Sequence, residues 1–334
     1  MTGSGKLGFD ALNTALKAAG EDTRLRVLAL LAEAELTVSE LTDILDQSQP
    51  RISRHLKLLA EARLVTRYRE GTWAFYRLAE AGKGADLARA LLAQLDPADR
   101  IVRRDRDRLD SVRAARAAVA QAYFRRHAAE WDRIRKLHVA DQAVEDAIRD
   151  ALADRSFRSL LDLGTGTGRM LEMFGPAVER GLGIDMSLDM LLLARDRLER
   201  AGLRHCSVRQ GDIYDLPLER DSFDAVILHQ VLHFLDDGAR AIAEAARVLR
   251  PGGSLLVVDF APHEQEFLRE KYAHRRLGFA PEMVNQWISA VGLEPVLFRS
   301  LPPEPGSDGK IAVSLWLACD RRALIAAKPS REVA

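Results

Sequence analysis

Three glycines alternate with threonines after a short apolar segment in the middle of the chain. Residues 160–163 are Leu-Leu-Asp-Leu, residues 164–168 are Gly-Thr-Gly-Thr-Gly, and a segment of helical character follows. Glycine allows a tight turn and a close approach of the backbone to a ligand, and the start of a helix offers unpaired N–H groups. An apolar strand, a glycine turn and a helix in this order predict a nucleotide-binding loop in an α/β sheet.

Acidic residues follow the next two apolar segments. Asp185 follows the segment 180–184, and Asp212 and Ile213 follow the segment 205–209. A carboxylate after the second strand can accept hydrogen bonds from both hydroxyls of a ribose. A carboxylate after the third strand can accept from an adenine amino group, and the isoleucine can cover the ring. The sequence therefore predicts a site for an adenosine-containing ligand.

Two histidines are candidates for catalysis. His229 and His233 follow the fourth predicted strand, where the second substrate of such a site would lie. A base is useful there when the acceptor of a transferred group carries a proton. The alternative, that both histidines cap or pack the next helix, stays open, so no residue is assigned as catalytic.

Apolar β-type segments alternate with helical ones from Ser159 onward. Because strand–helix alternation favours parallel pairing, most of the sheet is expected to be parallel and covered on both faces. A proline-rich loop and no helix separates the last two strands, which should pair antiparallel. Strands are predicted near 159–163, 180–184, 205–209, 223–228, 254–259, 293–299 and 311–318.

This series of motifs resembles the class I methyltransferases that bind S-adenosylmethionine, over about residues 120–320. The resemblance implies that Asp162, Gly164 and Gly166 lie by the methionine portion of the ligand. It also implies a lid at 123–132, although that segment can equally be interdomain packing. The residues expected to contact the ligand are Asp162, Gly164, Thr165, Gly166, Gly168, Asp185, Met186, Gly211, Asp212, Ile213, His229, Tyr123 and Trp131.

The N-terminal part of the chain contains a local basic region. The whole protein has 334 residues and a formal net charge of zero, yet residues 47–69 hold six Lys or Arg and one acid, Glu61. A basic region in a neutral protein indicates a localised anionic partner. A capped helix is predicted from Thr37, with Glu40 at the third helical position, and a second helix after Ser48.

The second of these helices has two different faces. Ile52, Leu56 and Leu59 fall on one arc, and Ser53, Arg54 and Lys57 fall on the opposite one. Arg can bond guanine edges, and Ser and Lys suit phosphates. A β-hairpin around Glu70-Gly71 adds the residues of a wing: Arg67, Arg69, Trp73 and Tyr76. The charge pattern alone is equally consistent with an ordinary helix whose charged face is solvated.

Residues 48–65 resemble the recognition-helix region of the ArsR/SmtB family of winged-helix repressors, and the resemblance covers about residues 9–80. Metal-sensing members have paired cysteines where this chain has Leu36-Thr37-Val38-Ser39, so metal sensing through that site is not expected. Family members bind palindromic DNA as dimers, so a homodimer is expected. The residues expected to contact DNA are Ser48, Gln49, Arg51, Ser53, Arg54, His55, Lys57, Arg67, Arg69 and Trp73.

The predicted fold is α/β multidomain. A winged helix-turn-helix domain is expected at 1–83, a helical linker for dimerisation and a cofactor lid at 84–150, a seven-stranded Rossmann-like methyltransferase domain at 151–322, and a tail at 323–334. No apolar run is long enough to cross a membrane and no signal peptide is evident, so a cytoplasmic protein is expected. Cys206 and Cys319 match no metal-ligand spacing, so neither a disulfide framework nor a metal is expected.

These features lead to three functional hypotheses. The first is a transcriptional repressor whose methyltransferase-fold domain binds S-adenosylhomocysteine or S-adenosylmethionine as effector. This combination resembles the ArsR-type regulators of the methionine cycle in proteobacteria. The second is an active methyltransferase for small molecules with an autoregulatory DNA-binding domain. The third keeps the N-terminal domain only for dimerisation.

Overall fold

The computed structural model describes residues 6–70, 72–79, 82–128, 131, 141–303 and 310–322. The chain divides into two compact units, Met1–Ala118 and Val119–Ala334. The division falls inside one helix, so the predicted linker segment 84–150 is shared between the units.

The first unit combines helices with a small antiparallel sheet in the order β1-β3-β2. The hairpin formed by β2 and β3 is the predicted wing, and the predicted winged helix-turn-helix is confirmed. The strands are β1 (Leu36–Thr37), β2 (Val65–Glu70) and β3 (Trp73–Leu78). The helices are α1 (Phe9–Ala19), α2 (Asp22–Glu33), α3 (Val38–Leu45), α4 (Gln49–Glu61), α5 (Lys83–Leu92) and the first part of α6 (Arg100–His127).

Local sequence signals set the helix-turn-helix. The Thr37 hydroxyl accepts from the Glu40 backbone N–H at 3.3 Å, and the Glu40 carboxylate accepts from the Thr37 N–H at 2.8 Å, which confirms the predicted capping box. Asp46, with φ of 56°, ends α3 in a left-handed conformation. Ser48 takes the N-cap position of α4 without a side-chain hydrogen bond.

The N-terminal half of α6 is part of the first unit. Arg26 donates to both oxygens of Asp105, at 2.5 and 2.7 Å, and Asp105 is buried. Arg106 pairs with Glu33 at the end of α2. Leu109 on the same helix is fully buried in the core of this unit. A bidentate buried pair and an apolar anchor therefore join α6 to the winged helix.

The second unit contains a seven-stranded sheet in the order β6-β5-β4-β7-β8-β10-β9. β10 pairs antiparallel with β8 and β9, and the other neighbours are parallel. The strands are β4 (Ser159–Leu163), β5 (Arg180–Asp185), β6 (Cys206–Gln210), β7 (Phe223–His229), β8 (Leu249–Phe260), β9 (Leu293–Leu301) and β10 (Val313–Asp320). The helices are the last part of α6, α7 (Asp141–Leu152), α8 (Arg169–Phe174), α9 (Leu188–Arg200), α10 (Gly238–Val248), α11 (Phe267–Tyr272) and α12 (Pro281–Ala290).

All seven predicted strands and the antiparallel terminal pair are confirmed. The largest difference is in β8, which begins at Leu249 rather than near residue 254, because Leu249 pairs with Phe223 ahead of a register shift. Successive residues of each central strand enter opposite apolar layers, as for Leu160 on one face and Leu161 on the other. Both faces of the sheet are therefore covered. Within the described ranges, no helix has the length and apolar character needed to cross a membrane.

Replacement of Leu109 by alanine tests the anchoring of α6 on the winged helix. The loss of a fully buried leucine side chain should destabilise this packing by about 2–5 kcal/mol. Amide hydrogen exchange of the full-length chain should then show lower protection in α2 and α4. Val119→Ala, at a position 66% exposed on the same helix, is the control and should change little. Unchanged protection in Leu109→Ala would contradict the anchoring role.

Candidate ligand site and nucleic-acid interface

The glycine loop after β4 is held by the end of β5. The N–H groups of Gly164 and Thr165 donate to the Ile184 carbonyl at 2.8 and 3.0 Å. The Gly166 N–H donates to Oδ2 of Asp185 at 2.8 Å. Gly164 and Gly166 have φ of 70° and 51°, and a Cβ on Gly164 would lie 2.3 Å from a methyl carbon of Val231. Glycine is therefore required at Gly164 by both conformation and space, and at Gly166 by conformation.

Asp185 is the polar centre of this site. The Ser187 N–H donates to its Oδ1 at 2.8 Å, so each carboxylate oxygen accepts one backbone hydrogen bond. Burial raises the pKa of the Asp185 carboxyl, and the hydrogen bonds from Ser187 and Gly166 lower it in part. Since each carboxylate oxygen can accept a further bond, Asp185 can still receive two hydroxyl groups.

Asp162 and the two threonines of the loop form its support. Asp162 is 1% exposed, and its Oδ2 accepts from the Thr165 hydroxyl at 2.6 Å. Arg197 of α9 donates to the Thr167 hydroxyl at 3.0 Å. Gly168 precedes α8 in a left-handed conformation, with φ of 81°. The contact of Asp162 and Gly168 with a ligand stays a prediction.

The residues predicted for adenine lie at the ends of β5 and β6. The Gly211 N–H donates to the Asp185 carbonyl at 3.1 Å, which ties the two strand ends together. Asp212 is exposed and Met186 is 43% exposed, whereas Ile213 is buried. These positions are consistent with an adenine ring whose edge contacts the Asp212 carboxylate and whose face contacts Ile213.

Two predicted lid residues belong to the second unit. Trp131 Nε1 lies 3.7 Å from the position that a Cβ on Gly166 would take. The Trp131 ring contacts Phe124, with 5.3 Å between ring centroids. The Tyr123 hydroxyl is buried and has no hydrogen-bond partner in the described part of the chain. Residues 129, 130 and 132 of the predicted lid lie outside the described residues.

These features fit an adenosine-containing ligand. The bare Cα of Gly166 leaves the surface open where Trp131 approaches, and the Asp185 carboxylate has acceptor capacity for a ribose. Among the described residues, no group of three or more His, Cys, Asp or Glu side chains is arranged to hold a metal ion.

The two histidines that are candidates for catalysis differ in burial. His229 is half-buried at the end of β7. His233, however, is 2% exposed, and its Nδ1 lies 2.8 Å from Oδ1 of Asp259. It is buried because the short 3₁₀ turn Leu232–Phe234 folds its ring against Phe260.

The first unit presents the predicted basic face of α4. Ile52, Leu56 and Leu59 are fully buried, which confirms the apolar arc. Residue Lys57 has a side chain 77% exposed and only a long ion pair, 3.9 Å, to Glu61. The exposed positions of this face are Ser48, Gln49, Arg51, Ser53, Arg54 and Lys57.

His55 does not belong to this face, and its prediction as a DNA contact is wrong. It is 8% exposed, and its Nδ1 lies 3.5 Å from the Glu21 carboxylate at the start of α2. Burial lowers the pKa of His55, while Glu21 raises it in part. The physical reason is helical spacing, because residue 55 lies one turn from Ile52 and from Leu59 on the buried arc.

The wing is consistent with a backbone contact. Arg67 and Arg69 are exposed on β2, and Trp73 is 40% exposed on β3. The Trp73 ring stacks on Phe75 at 6.0 Å, which holds it at the surface. Tyr76 is 9% exposed, so the expectation that it reaches DNA is also wrong.

Two residues near the ligand site were missed by sequence reasoning. Val231 covers Gly164, and Asp259 pairs with His233. For Asp259 the signal was present, because it lies at the end of an apolar strand in the same way as Asp185. For Val231, no sequence signal indicates the left-handed turn at Gln230, with φ of 52°, that precedes it.

Two family models match this chain. Residues 161–257 match the model of a methyltransferase domain, and residues 21–67 match the model of bacterial regulatory proteins of the arsR family. The first match covers β4 through most of β8, and the second covers most of the helix-turn-helix. Both matches fall on the elements to which the sequence motifs pointed.

Several proteins are similar to parts of the chain. An uncharacterized methyltransferase of Bacillus subtilis is 32% identical over 120 residues, 36% of this chain and 47% of that protein. A ubiquinone/menaquinone biosynthesis C-methyltransferase of Dinoroseobacter shibae is 30% identical over 174 residues, 50% of this chain and 69% of that protein. An uncharacterized protein in transposon TN4556 of Streptomyces fradiae is 43% identical over 121 residues, 35% of this chain and 34% of that protein.

The chain thus spans about a third of the Streptomyces protein and about half of the Bacillus protein. The crystal structure of the Bacillus subtilis YcgJ protein aligns with a TM-score of 0.46 at 21% identity, covering 54% of this chain and 99% of that one. The chain belongs to the methyltransferases with a Rossmann-like fold, and its N-terminal unit carries the DNA-binding domain of the arsR family of bacterial regulatory proteins.

Proposed function

We propose that this protein is a transcriptional repressor whose methyltransferase-fold unit binds S-adenosylhomocysteine or S-adenosylmethionine as its effector. The observation that carries the proposal is the presence, in one chain, of an exposed basic helix face and a glycine loop fixed to Asp185. The genes of the methionine and S-adenosylmethionine cycle are the proposed targets, because the effector is an intermediate of that cycle. DNA binding would locate the protein in the cytoplasm.

On the DNA side, α4 would enter the major groove and the wing would contact the flanking backbone. Arg54 would contact base edges, whereas Lys57 and Arg69 would contact phosphates. We further propose a homodimer that binds a palindromic operator. Phe9, Leu12 and Leu16 on α1 support it, because they are 83%, 36% and 44% exposed. An exposed apolar stripe of this kind is typical of an interaction surface.

On the ligand side, Asp185 would hold the ribose and the loop would face the methionine portion. S-adenosylmethionine carries a methyl group and a positive charge that S-adenosylhomocysteine lacks. The two ligands would therefore differ in their interaction with carboxylates and aromatic rings near the sulfur.

The two activities would be coupled through α6. A ligand changes DNA affinity only by as much as it prefers one conformation of the chain over another. The N-terminal half of α6 is bound to the helix-turn-helix: Arg108 donates to the Ile44 carbonyl at 2.9 Å, and Arg116 pairs with Glu40. The C-terminal part holds Tyr123 and Phe124 of the proposed lid. A ligand that reorders the lid would thereby act on both ends of α3.

The second candidate function is an active methyltransferase for small molecules with an autoregulatory DNA-binding domain. The buried pair of His233 and Asp259 favours it, because a sensor has no need of a histidine with a fixed proton. The two functions are compatible in one protein.

Replacement of Asp185 by asparagine tests the ligand site. The ribose hydroxyls should favour the carboxylate over the protonated acid, so wild-type affinity for S-adenosylhomocysteine should fall as the pH is lowered through the raised pKa of Asp185. Asp185→Asn should bind at least about 10-fold more weakly at pH 7.5 and lose this pH dependence. Isothermal titration at several pH values measures both effects. Asp196→Asn, on the exposed side of α9, is the control. Equal affinity of Asp185→Asn and wild type would exclude the proposed ribose contact.

Replacement of Arg54 by alanine tests the DNA-facing helix. A duplex selected by the wild-type protein from a random-sequence library serves as the operator. Loss of a base contact should weaken binding by about 10-fold or more and relax specificity at one position. Arg69→Ala should instead reduce the salt dependence by about one unit of slope, with little change in specificity. If Arg54→Ala binds the selected duplex as tightly as the wild type, another face of α4 contacts the bases.

An insertion in α6 tests the coupling. We expect S-adenosylhomocysteine or S-adenosylmethionine to change operator affinity of the wild type by about 5- to 150-fold. Gly-Ser-Gly-Ser inserted after Ala118 should remove this effect while ligand affinity and operator affinity stay within about threefold, because each half of α6 keeps its own contacts. The same four residues inserted after Gly202, in an exposed turn, should leave the effect intact. If neither ligand changes the operator affinity of the wild-type protein, the sensor function is refuted.

A further inference from the structure

A cluster of aromatic and histidine rings lies at the carboxyl ends of β7 and β8, next to the glycine-loop site. We define the ring cluster by Phe124, Phe234, Phe260, His233 and His274. Ring centroids are 4.8 Å apart for Phe124 and Phe234, 4.0 Å for Phe234 and His233, and 4.3 Å for His233 and His274. Two of the five rings are imidazoles. The half-buried rings of Phe124, Phe234 and His274 form an aromatic surface suited to a flat apolar molecule.

His233 has a defined proton position in this cluster. Asp259 is fully buried and accepts the Phe260 N–H at 2.8 Å and the His233 N–H at 3.3 Å. It also lies 2.8 Å from Nδ1 of His233. A carboxylate can only accept, so Nδ1 carries a proton, and in the neutral ring Nε2 is then a hydrogen-bond acceptor. This is the arrangement of an oriented base.

Two buried donors lie on the same strand ends. The Gln265 N–H donates to Nδ1 of His263 at 3.2 Å, so the proton of this neutral ring is on Nε2. His263 Nε2 and Gln230 Nε2 are both buried and have no hydrogen-bond partner among the residues that the structure describes. Gln230 itself is 7% exposed, and its backbone N–H donates to Val258, the neighbour of Asp259. Unpaired buried donors are uncommon and cost free energy unless a ligand accepts from them.

The surroundings favour a ligand without charge. Burial lowers the pKa of His263 to about 4, so this ring is neutral at pH 7. Two nearby guanidinium groups are paired with carboxylates, since Arg275 lies 2.9 Å from Asp236 and Arg269 lies 3.2 Å from Glu266. A neutral aromatic molecule with one hydroxyl group matches a ring surface that offers one acceptor and two donors.

We propose that the ring cluster binds a phenol-type small molecule and that His233 is the base for its O-methylation. This inference rests on the ligand half of the proposed function, because S-adenosylmethionine, when bound, supplies an electrophilic methyl group. The phenol hydroxyl gives its proton to Nε2 of His233 as the oxygen forms the new O–C bond. The electron pair of the broken C–S bond stays on sulfur, so neutral S-adenosylhomocysteine and a neutral aryl methyl ether result. The proton then leaves His233 for water.

The test uses 2-naphthol with the full-length protein, in the presence and absence of S-adenosylhomocysteine. Isothermal titration should show binding of 2-naphthol at least about 10-fold tighter than that of 2-methoxynaphthalene, which lacks the hydroxyl proton, or of decahydro-2-naphthol, which lacks the rings. With S-adenosylmethionine, mass spectrometry should detect 2-methoxynaphthalene. Nitrogen-15 NMR of the His233 ring should show the proton on Nδ1 before any ligand is added.

His233→Asn is the decisive variant, because its amide can still donate to Asp259 while the Nε2 acceptor is gone. It should bind 2-naphthol at least about 10-fold more weakly and form no ether, with affinity for S-adenosylhomocysteine within about threefold of the wild type. Equal binding of 2-naphthol and decahydro-2-naphthol, or ether formation by His233→Asn at the wild-type rate, would overturn the proposal. Failure to bind S-adenosylhomocysteine would refute the effector site instead, and the titration without that ligand still decides whether the ring cluster binds 2-naphthol.

Discussion

The end of β5 fixes the geometry on which the ligand site depends. The Ile184 carbonyl takes two N–H groups of the glycine loop, and the Asp185 carboxylate takes a third. Three successive N–H groups bonded to one strand end hold the loop in its left-handed turns without help from a ligand. Less conformational freedom is then lost on binding, which is the physical meaning of a preformed site. The same carboxylate that shapes the loop also has acceptor capacity left, so in the proposed site both shape and ligand recognition would depend on Asp185.

The first unit depends on a comparable constraint, the buried carboxylate of Asp105. Taking this charge out of water is costly, and the bidentate contact from Arg26 compensates for it only while α6 stays in place. Loss of Arg26 would leave the buried Asp105 carboxylate with only its longer contact to Arg104, at 3.5 Å. The N-terminal half of α6 is therefore a structural part of the winged helix rather than a separable linker, which the charge pattern of the sequence did not indicate.

Sequence reasoning succeeded where the determining residues are close in the chain. The seven strands follow from apolar segments, and the capping box of Thr37 and Glu40 follows from their spacing. It failed for His55, although the spacing from Ile52 and Leu59 that places this residue on the buried arc can be read in the sequence. For His233 it left a catalytic role and helix packing both open, because Asp259, 26 residues later on the neighbouring strand, was not recognised as its partner. Periodicity determines which face of an element is apolar, but the partner of a buried polar group depends on tertiary packing.

The contacts of α6 also indicate where a ligand signal can act. Coupling free energies between sites are typically 1–3 kcal/mol. The N-terminal half of α6 is held by the Arg26–Asp105 pair, by the Leu109 side chain and by Arg106 and Arg116, and breaking a buried pair alone costs more than such a coupling. In the proposed sensor, a ligand would therefore not detach this half from the winged helix. The proposed coupling would instead require a conformational change in the part of α6 that follows Arg116. The aromatic residues Tyr123 and Phe124 lie in that part, so ligand binding and lid packing are expected to depend on the same short stretch of helix.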